Sequence, residues 1–231
     1  TRPFFSLSKN ITGESHKSKI KKIRTFLKLN KVDYMFISAP ENVAWLLNIR
    51  GFDNPTSPIP NSRLIIGKNK TLLLITKKKN IQKINKDKKL IKNQVIDFHK
   101  FKEIINSLKG SNFIIDSHSC SVFAEKIIRS QFKIFNEKDP IYRLKSIKNS
   151  SEINHMIDAH KKDGLALTKF IYWIKNINNK NITEFDAQNK LEKFRKMNKS
   201  YLYPSFNTIA GAGSNGAIVH YRATKKNTKK I

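Results

Sequence analysis

Apolar and polar positions follow two rhythms over the first 140 residues. Between Ser15 and Asn30, Ile20, Ile23, Phe26 and Leu27 recur at helical spacing, with Leu29 at the edge of that face. Ser15 stands where an N-cap belongs. The run VDYMFIS then reads as a buried strand, and PENVAWLLNI as a short helix opened by Pro40. RGFDNPTSPIP, Arg50 to Pro60, carries the proline density of a loop. The apolar runs SRLIIG and TLLLIT flank the polar KNK and predict a hairpin. A polar helix near 77–88, a strand QVIDF, a helix near 100–109, a strand NFIID, a helix near 120–130 and a strand FKIF follow. Strands and helices alternating at this length predict an α/β domain with a mixed, mostly parallel sheet, residues 1–140, ending near Asp139-Pro140.

The rhythm changes in residues 141–231. NSSEINHMIDAHKKDGLALTKFIYWIKN keeps a helical pattern throughout, with Ser150 or Ser151 as cap and Glu152 in the first turn. TEFDAQNKLEKFRKMN predicts a second helix, opened by a capping box of Thr183 and Asp186. PSFNTIAGAGSNGAIVHY reads as strand, glycine loop, strand. A lone hairpin is marginal in water, so this half reads as an incomplete unit that leaves Ile171, Trp173 and Phe206 without cover.

Composition narrows the classes. At 39% hydrophobic and 10% aromatic, the chain has the material of a globular protein. Lys+Arg is 46 against 17 Asp+Glu, a net charge of +29. The lysines are spread over nearly every segment, alongside abundant Asn and Ile, a pattern that also fits an A/T-rich codon bias. A dedicated nucleic-acid site gathers its charge and adds aromatic or Arg readers, so general surface charge is the simpler account. The single cysteine, Cys120, permits no internal disulfide, and a cytoplasmic setting is expected. No apolar run reaches membrane-spanning length. The first residues lack both an initiator Met and a signal-peptide core, and the last are polar, so both ends read as processing or truncation.

Candidate chemistry centres on TIAGAGSNGAIVHY. Gly211, Gly213 and Gly216 spell G-x-G-x-x-G, the phosphate-binding pattern of dinucleotide folds. That pattern needs a helix after the glycines and a carboxylate about 20 residues on. Here β-branched Ile218 and Val219 follow, and no Asp or Glu occurs after Glu192. The glycines therefore read as a turn between strands, carrying His220 on the second. His16, His99, His118, His155 and His160 form no metal-ligand spacing, and Ser205 lacks the G-x-S-x-G elbow.

Two blocks carry a family resemblance. Trp45, Leu46, Asn48, Arg50, Gly51, Asp53 and Pro58 match a W-L-x-N-x-R-G-x-D-x-x-x-x-P pattern. Pro204, Ser205, Phe206, Thr208, Ile209, Gly213, Asn215, Ala217, His220 and Tyr221 match P-S-F-x-T-I-x-x-x-G-x-N-x-A-x-x-H-Y. With the stretch DPIYRLKSIKNSSEINHMIDAHKKDGLAL between them, the chain resembles the aminopeptidase P (Xaa-Pro aminopeptidase) family of the creatinase, or pita-bread, type. The resemblance is greatest to long, three-domain members, beginning near their second domain.

The resemblance implies a creatinase-like N-terminal domain with a mixed sheet, followed by the incomplete N-terminal part of an α+β pita-bread catalytic domain. It implies a metallopeptidase that releases the residue before a proline, with two divalent metals, commonly manganese, held by two Asp, one His and two Glu. His220 is then a catalytic and substrate-binding residue beside the metals, donating to substrate or to the developing oxyanion. In the family those metal ligands lie downstream of the H-Y pair, and RATKKNTKKI after Tyr221 holds no Asp, Glu or His. Asp53, Asp116 and Asp139 match no ligand position. The expectation is therefore no catalytic metal in this chain and no peptidase activity by itself. Arg50 and Asp53 are expected to tie their loop or border the substrate. A proline-containing peptide is the implied partner, with a homodimer for the full-length protein and no specific nucleic acid or membrane. Two other readings compete: a metal-free creatinase-like binding module, and a basic nucleic-acid-binding protein.

Overall fold

Runs of Ile, Leu and Phe become the strands of a six-stranded sheet in the computed structural model, which describes residues 3–81, 84, 90, 92–178 and 181–231. Along the chain come β1 (Phe5–Ser6), α1 (Lys9–Thr12), α2 (His16–Leu29), β2 (Tyr34–Ile37), α3 (Pro40–Leu47) and β3 (Ile49–Arg50). β4 (Arg63–Gly67), β5 (Leu72–Ile75), β6 (Val95–Ile96), α4 (Phe101–Ser107), β7 (Asn112–Ile115), α5 (Val122–Arg129) and β8 (Lys133–Asn136) follow. α6 (Pro140–Ser146), α7 (Ser150–Lys175) and α8 (Glu184–Lys196) come last. The chain divides into two units, Thr1–Glu152 and Ile153–Ile231.

In the first unit the strand order is β6-β5-β4-β2-β7-β8. β4 runs antiparallel to β2 and β5, while β5–β6, β2–β7 and β7–β8 pair in parallel. The expected mixed, mostly parallel sheet is thus observed. β4 and β5 form the expected hairpin, closed by the Gly67 amide donating to Thr71 O at 3.0 Å. Central strands are buried on both faces, which explains why their sequences are apolar runs without alternation. The faces still segregate by residue parity. Met35, Ile37, Leu64, Ile66 and Ile114 join Ile20, Ile23 and Leu27 of α2 and Val43 and Leu46 of α3. Phe36, Ile65, Phe113 and Ile115 join Phe101 and Ile105 of α4 and Ala124 and Ile128 of α5. The result is a helix–sheet–helix sandwich, in which each fully buried aliphatic or aromatic side chain contributes roughly 1.5–3 kcal/mol.

Caps largely follow the sequence. Ser15 Oγ accepts the Ser18 amide at 3.2 Å. Thr183 and Asp186 form the capping box of α8. For α7 the expected cap at Ser150 or Ser151 is wrong by one or two positions. Asn149 Oδ1 accepts the Glu152 amide at 3.0 Å, and Glu152 Oε2 accepts the Asn149 amide at 3.0 Å. An Asn one position upstream does the work of the serine because its longer side chain reaches back over the first turn and also donates to Thr12 O at 2.9 Å. Leu29 is 78% exposed, outside the buried face of α2. Lys19 lies inside that face at 1% exposure, bonded to Trp45 O at 3.0 Å and Asn48 Oδ1 at 2.8 Å. Of the expected helix at 77–88, Lys78–Ile81 form a 3-10 turn, and most of the remainder lies outside the described residues. The short β1–β3 pairing had no sequence signal.

In the second unit the hairpin expected in PSFNTIAGAGSNGAIVHY is absent. Residues 203–212 are irregular, Gly213–Ala217 form a 3-10 turn, and no ladder joins the flanks. The apolar side chains of this stretch bury little, and the Ala212 amide, which a ladder could use, is bound instead by a buried carboxylate, described next. Ile171 and Phe206 are 45% and 69% exposed, while Trp173 is half-buried.

Candidate active site

The loop bearing His220 is organised by Glu184, the first residue of α8, whose side chain is wholly shielded from solvent. Glu184 Oε1 accepts from the Ala212 amide at 2.6 Å. Oε2 accepts from the Tyr221 hydroxyl at 2.7 Å and the Lys229 amide at 2.9 Å. Asn215 Nδ2 lies 3.1 Å from both oxygens and 2.9 Å from the Tyr221 hydroxyl. Burial opposes ionisation of this carboxyl, but the Ala212 and Lys229 amides, with Tyr221 and Asn215, outweigh it and hold the group at about 2. The same bond to Glu184, reinforced by burial, pushes the Tyr221 phenol up, so that its proton stays in place.

Backbone bonds tighten the latch. The Glu184 amide donates to Lys229 O at 2.9 Å, the Phe185 amide to Thr228 Oγ1 at 3.1 Å, and Gln188 Nε2 to Ala223 O at 3.2 Å. Two of the glycines have separate structural reasons. A Cβ on Gly211 would lie 2.8 Å from the carbonyl of Asn215, so only hydrogen fits there. Gly213 sits at φ +55°. The amide beside them points at a carboxylate, and no α-helix follows, so the loop has neither part of a phosphate cradle.

His220 lies in a turn, at φ +55° rather than on the expected strand, and is exposed. Its neighbour Tyr221 is 5% exposed and anchored. The H-Y pair thus splits its tasks: Tyr221 points into the latch and His220 out of it. The other sequence candidates are not gathered here. Ser205 is exposed, and His160 pairs through Nδ1 with Met156 O at 2.8 Å. Asp53 Oδ2 accepts the Asn61 amide at 2.8 Å and so closes the proline-rich loop. Arg50 Nη1 donates to Ile49 O at 2.9 Å and Ala44 O at 3.3 Å, tying β3 to the end of α3.

The described residues do not furnish a two-metal ligand set. No group of three His, Cys, Asp or Glu comes together among them. The carboxylates with the right burial are committed elsewhere. Asp116 accepts the Asp139 and His118 amides at 2.9 and 3.0 Å, Asp139 accepts from Ile141 and Asn42, and Glu184 is saturated by its donors. Glu184 was invisible as a site residue in the sequence. An acidic residue in a helix's first turn is ordinary there, and only the folding-back of residues 211–229 makes it a hub.

Fold and loop together define a class. Residues 1–152 match the creatinase/prolidase N-terminal domain, and residues 154–231 match metallopeptidase family M24. The chain belongs to the creatinase/prolidase N-terminal domain family and continues into an M24 domain. Its relatives include Xaa-Pro aminopeptidases. Xaa-Pro aminopeptidase 1 of Dictyostelium discoideum is 30% identical over 228 residues, covering 94% of this chain and 35% of that protein. A probable Xaa-Pro aminopeptidase P of Paracoccidioides brasiliensis (strain Pb03) is 32% identical, over 93% of this chain and 37% of its own length. The chain therefore spans about a third of the length of these curated relatives. Among solved structures, the X-prolyl aminopeptidase of Caenorhabditis elegans, described as a cytosolic enzyme with a di-nuclear active site, shares the fold. It has a TM-score of 0.85 at 23% identity, over 99% of this chain and 39% of that one.

Proposed function

We propose that this chain forms the creatinase-type domain and the opening of the peptidase domain of an Xaa-Pro aminopeptidase, which releases the residue preceding a proline. In this reading His220 is the catalytic and substrate-binding residue that the 231 residues contribute. An exposed imidazole on an anchored turn is free to meet substrate, donate to the oxygen that gains charge on the scissile carbonyl, or relay a proton. The observation that carries the reading is the Glu184 latch, which fixes Tyr221 and so sets the direction from which His220 projects. Glu184, Asn215 and Tyr221 are then positioning residues. Metal chemistry, which in the family supplies the attacking hydroxide, belongs to donors that the described residues do not include. Manganese is the metal we expect in the complete enzyme, and a cytosolic setting would match the worm relative's description.

The test uses an Xaa-Pro peptide and added manganese. The purified 231-residue chain is expected to release no N-terminal residue above a His220→Ala control. A polypeptide extended through a downstream set of paired Asp, His, Glu and Glu is expected to hydrolyse the peptide, and His220→Ala in it to lower kcat by about 100-fold or more. Full activity in that extended His220→Ala variant would remove the role given to His220.

A further inference from the structure

A cavity lies far from the H-Y loop in sequence, within the first unit. It measures about 280 Å3 and opens where the parallel strands end. Ser38 follows β2, Thr76 follows β5, Ser119 lies in the loop after β7, and Arg63 opens the reversed strand β4. From central β2 the chain first builds outward through β4, β5 and β6, and later returns to lay β7 and β8 on the other side. The cavity therefore occupies the switch point of a mostly parallel sheet, where connections diverge and leave a crevice at the carboxyl ends of the strands.

Its polar groups share one preference. Arg63 is half-buried, and its Nη1 is bound only by neutral oxygens, Ser62 O at 2.9 Å and Asn61 Oδ1 at 3.4 Å. No carboxylate of a described residue forms an ion pair with it. Glu41, the acid whose field reaches it, is engaged with the Tyr142 hydroxyl at 3.1 Å. Nε and Nη2, two sides of the planar fork, hold no hydrogen bond to a described residue. Ser38, 3% exposed, and Ser119 share one hydrogen bond at 2.6 Å, leaving one proton whose alternative acceptor is Asp116 O at 3.4 Å. Ser121, the N-cap of α5, borders the same space and brings the positive end of that helix to it. Lys77 adds a second cation to the lining and Asn61 and Ser62 further polar groups, while Phe36, Ile75 and Ala124 give apolar wall, with Phe98 at 52% exposure on the rim.

We propose that this cavity binds a small organic anion, an oxyanion head on a short apolar stem. The head takes the free fork of Arg63 and the Ser38–Ser119 proton, and the stem lies against Phe36, Ile75 and Phe98. Carboxylate and phosphate heads both satisfy the fork. Nothing in this assignment depends on the peptidase reading.

Ligand-observed fluorine NMR on the 231-residue chain at micromolar concentration tests it. The probes are 4-fluorophenylacetate, 4-fluorophenyl phosphate and the neutral 4-fluorophenylacetamide, at fixed salt. At least one anion is expected to bind saturably, and the tighter one identifies the head. The amide and the Arg63→Gln variant are each expected to weaken binding about tenfold or more. Arg63→Lys keeps the charge but not the fork and is expected to fall between, which keeps the test open should Arg63→Gln fail to fold by circular dichroism. Non-saturable response to both anions overturns the proposal. So does equal binding of acid and amide. Unchanged affinity in either folded Arg63 variant also overturns it, since the +29 net charge would then account for the attraction.

Discussion

Glu184 shows how one residue can replace a ladder. Its oxygens take up two backbone amides, a phenol and a side-chain amide from a segment that begins 28 positions away in sequence, at Ala212. The sign of its pH dependence follows. The carboxyl titrates at about 2 in the fold, against an ordinary 4.5, so the unfolded chain binds the proton first. Its stabilisation is complete above the ordinary value and is lost as pH falls from about 4.5 toward 2. The protection factors of the Ala212 and Lys229 amides, observed exchange referred to the intrinsic rate at each pH, are expected to fall over that window. Glu184→Gln, which removes the charge, should show low protection factors already at pH 6, with little further change on acidification. Protection at pH 6 equal to that of the parent chain would contradict the latch. Asp33 has the same sign: burial opposes its ionisation, and the Lys68 ammonium with the Ser111 and Asn112 amides nonetheless holds it at about 2.

At the scale of elements, the start of α7 depends on a single side chain. Asn149 caps the first turn through Glu152 and also grips Thr12 O. Asn149→Ala is expected to cost about 1–2 kcal/mol, measured by denaturant unfolding, because a cap and a long-range bond go together. Ser150→Ala, at the position the sequence pattern favoured, should cost less than about 0.5 kcal/mol. The sheet needed no such adjustment. Apolar runs bounded by turn residues marked β2, β4, β5 and β7 because double-faced burial calls for three or four consecutive apolar residues. β6 and β8 were also legible, though each is an edge strand and shorter or more polar than its sequence run. The hairpin around the glycines was misread for the opposite reason. Periodicity reports what a strand can bury, and residues 204–221 bury little: Phe206, Ile209, Ile218 and Val219 are all more than half exposed.

For the molecule as a whole, the two units differ in what they enclose. Thr1–Glu152 holds two apolar clusters, one on each face of its sheet. In Ile153–Ile231 the buried apolar residues among those described are Ala166, Ala187, Tyr221 and Ala223. Ile157, Leu165, Ile171 and Tyr172 of α7 are each 45% exposed or more. Limited trypsin digestion of the 231-residue chain is expected to cut first beyond residue 152 and to leave a resistant product close to Thr1–Glu152. Lysines are plentiful in both units, so the cutting pattern reports folding rather than site frequency. Uniform resistance along the chain would overturn this expectation.

What the sequence determined by itself was whatever depends on neighbours along the chain. The helix faces, the Thr183–Asp186 cap, the β4–β5 hairpin and the block of matched residues ending in His220 and Tyr221 are all of this kind. Tertiary structure alone decided which polar groups face one another: Glu184 with Tyr221 and Lys229, Asn149 with Thr12, Arg63 with an acid-free cavity at the ends of the strands. Local periodicity encodes how much apolar surface an element can bury. The partner of a buried charge is set by chain reversals tens of residues apart, and no spacing rule records them.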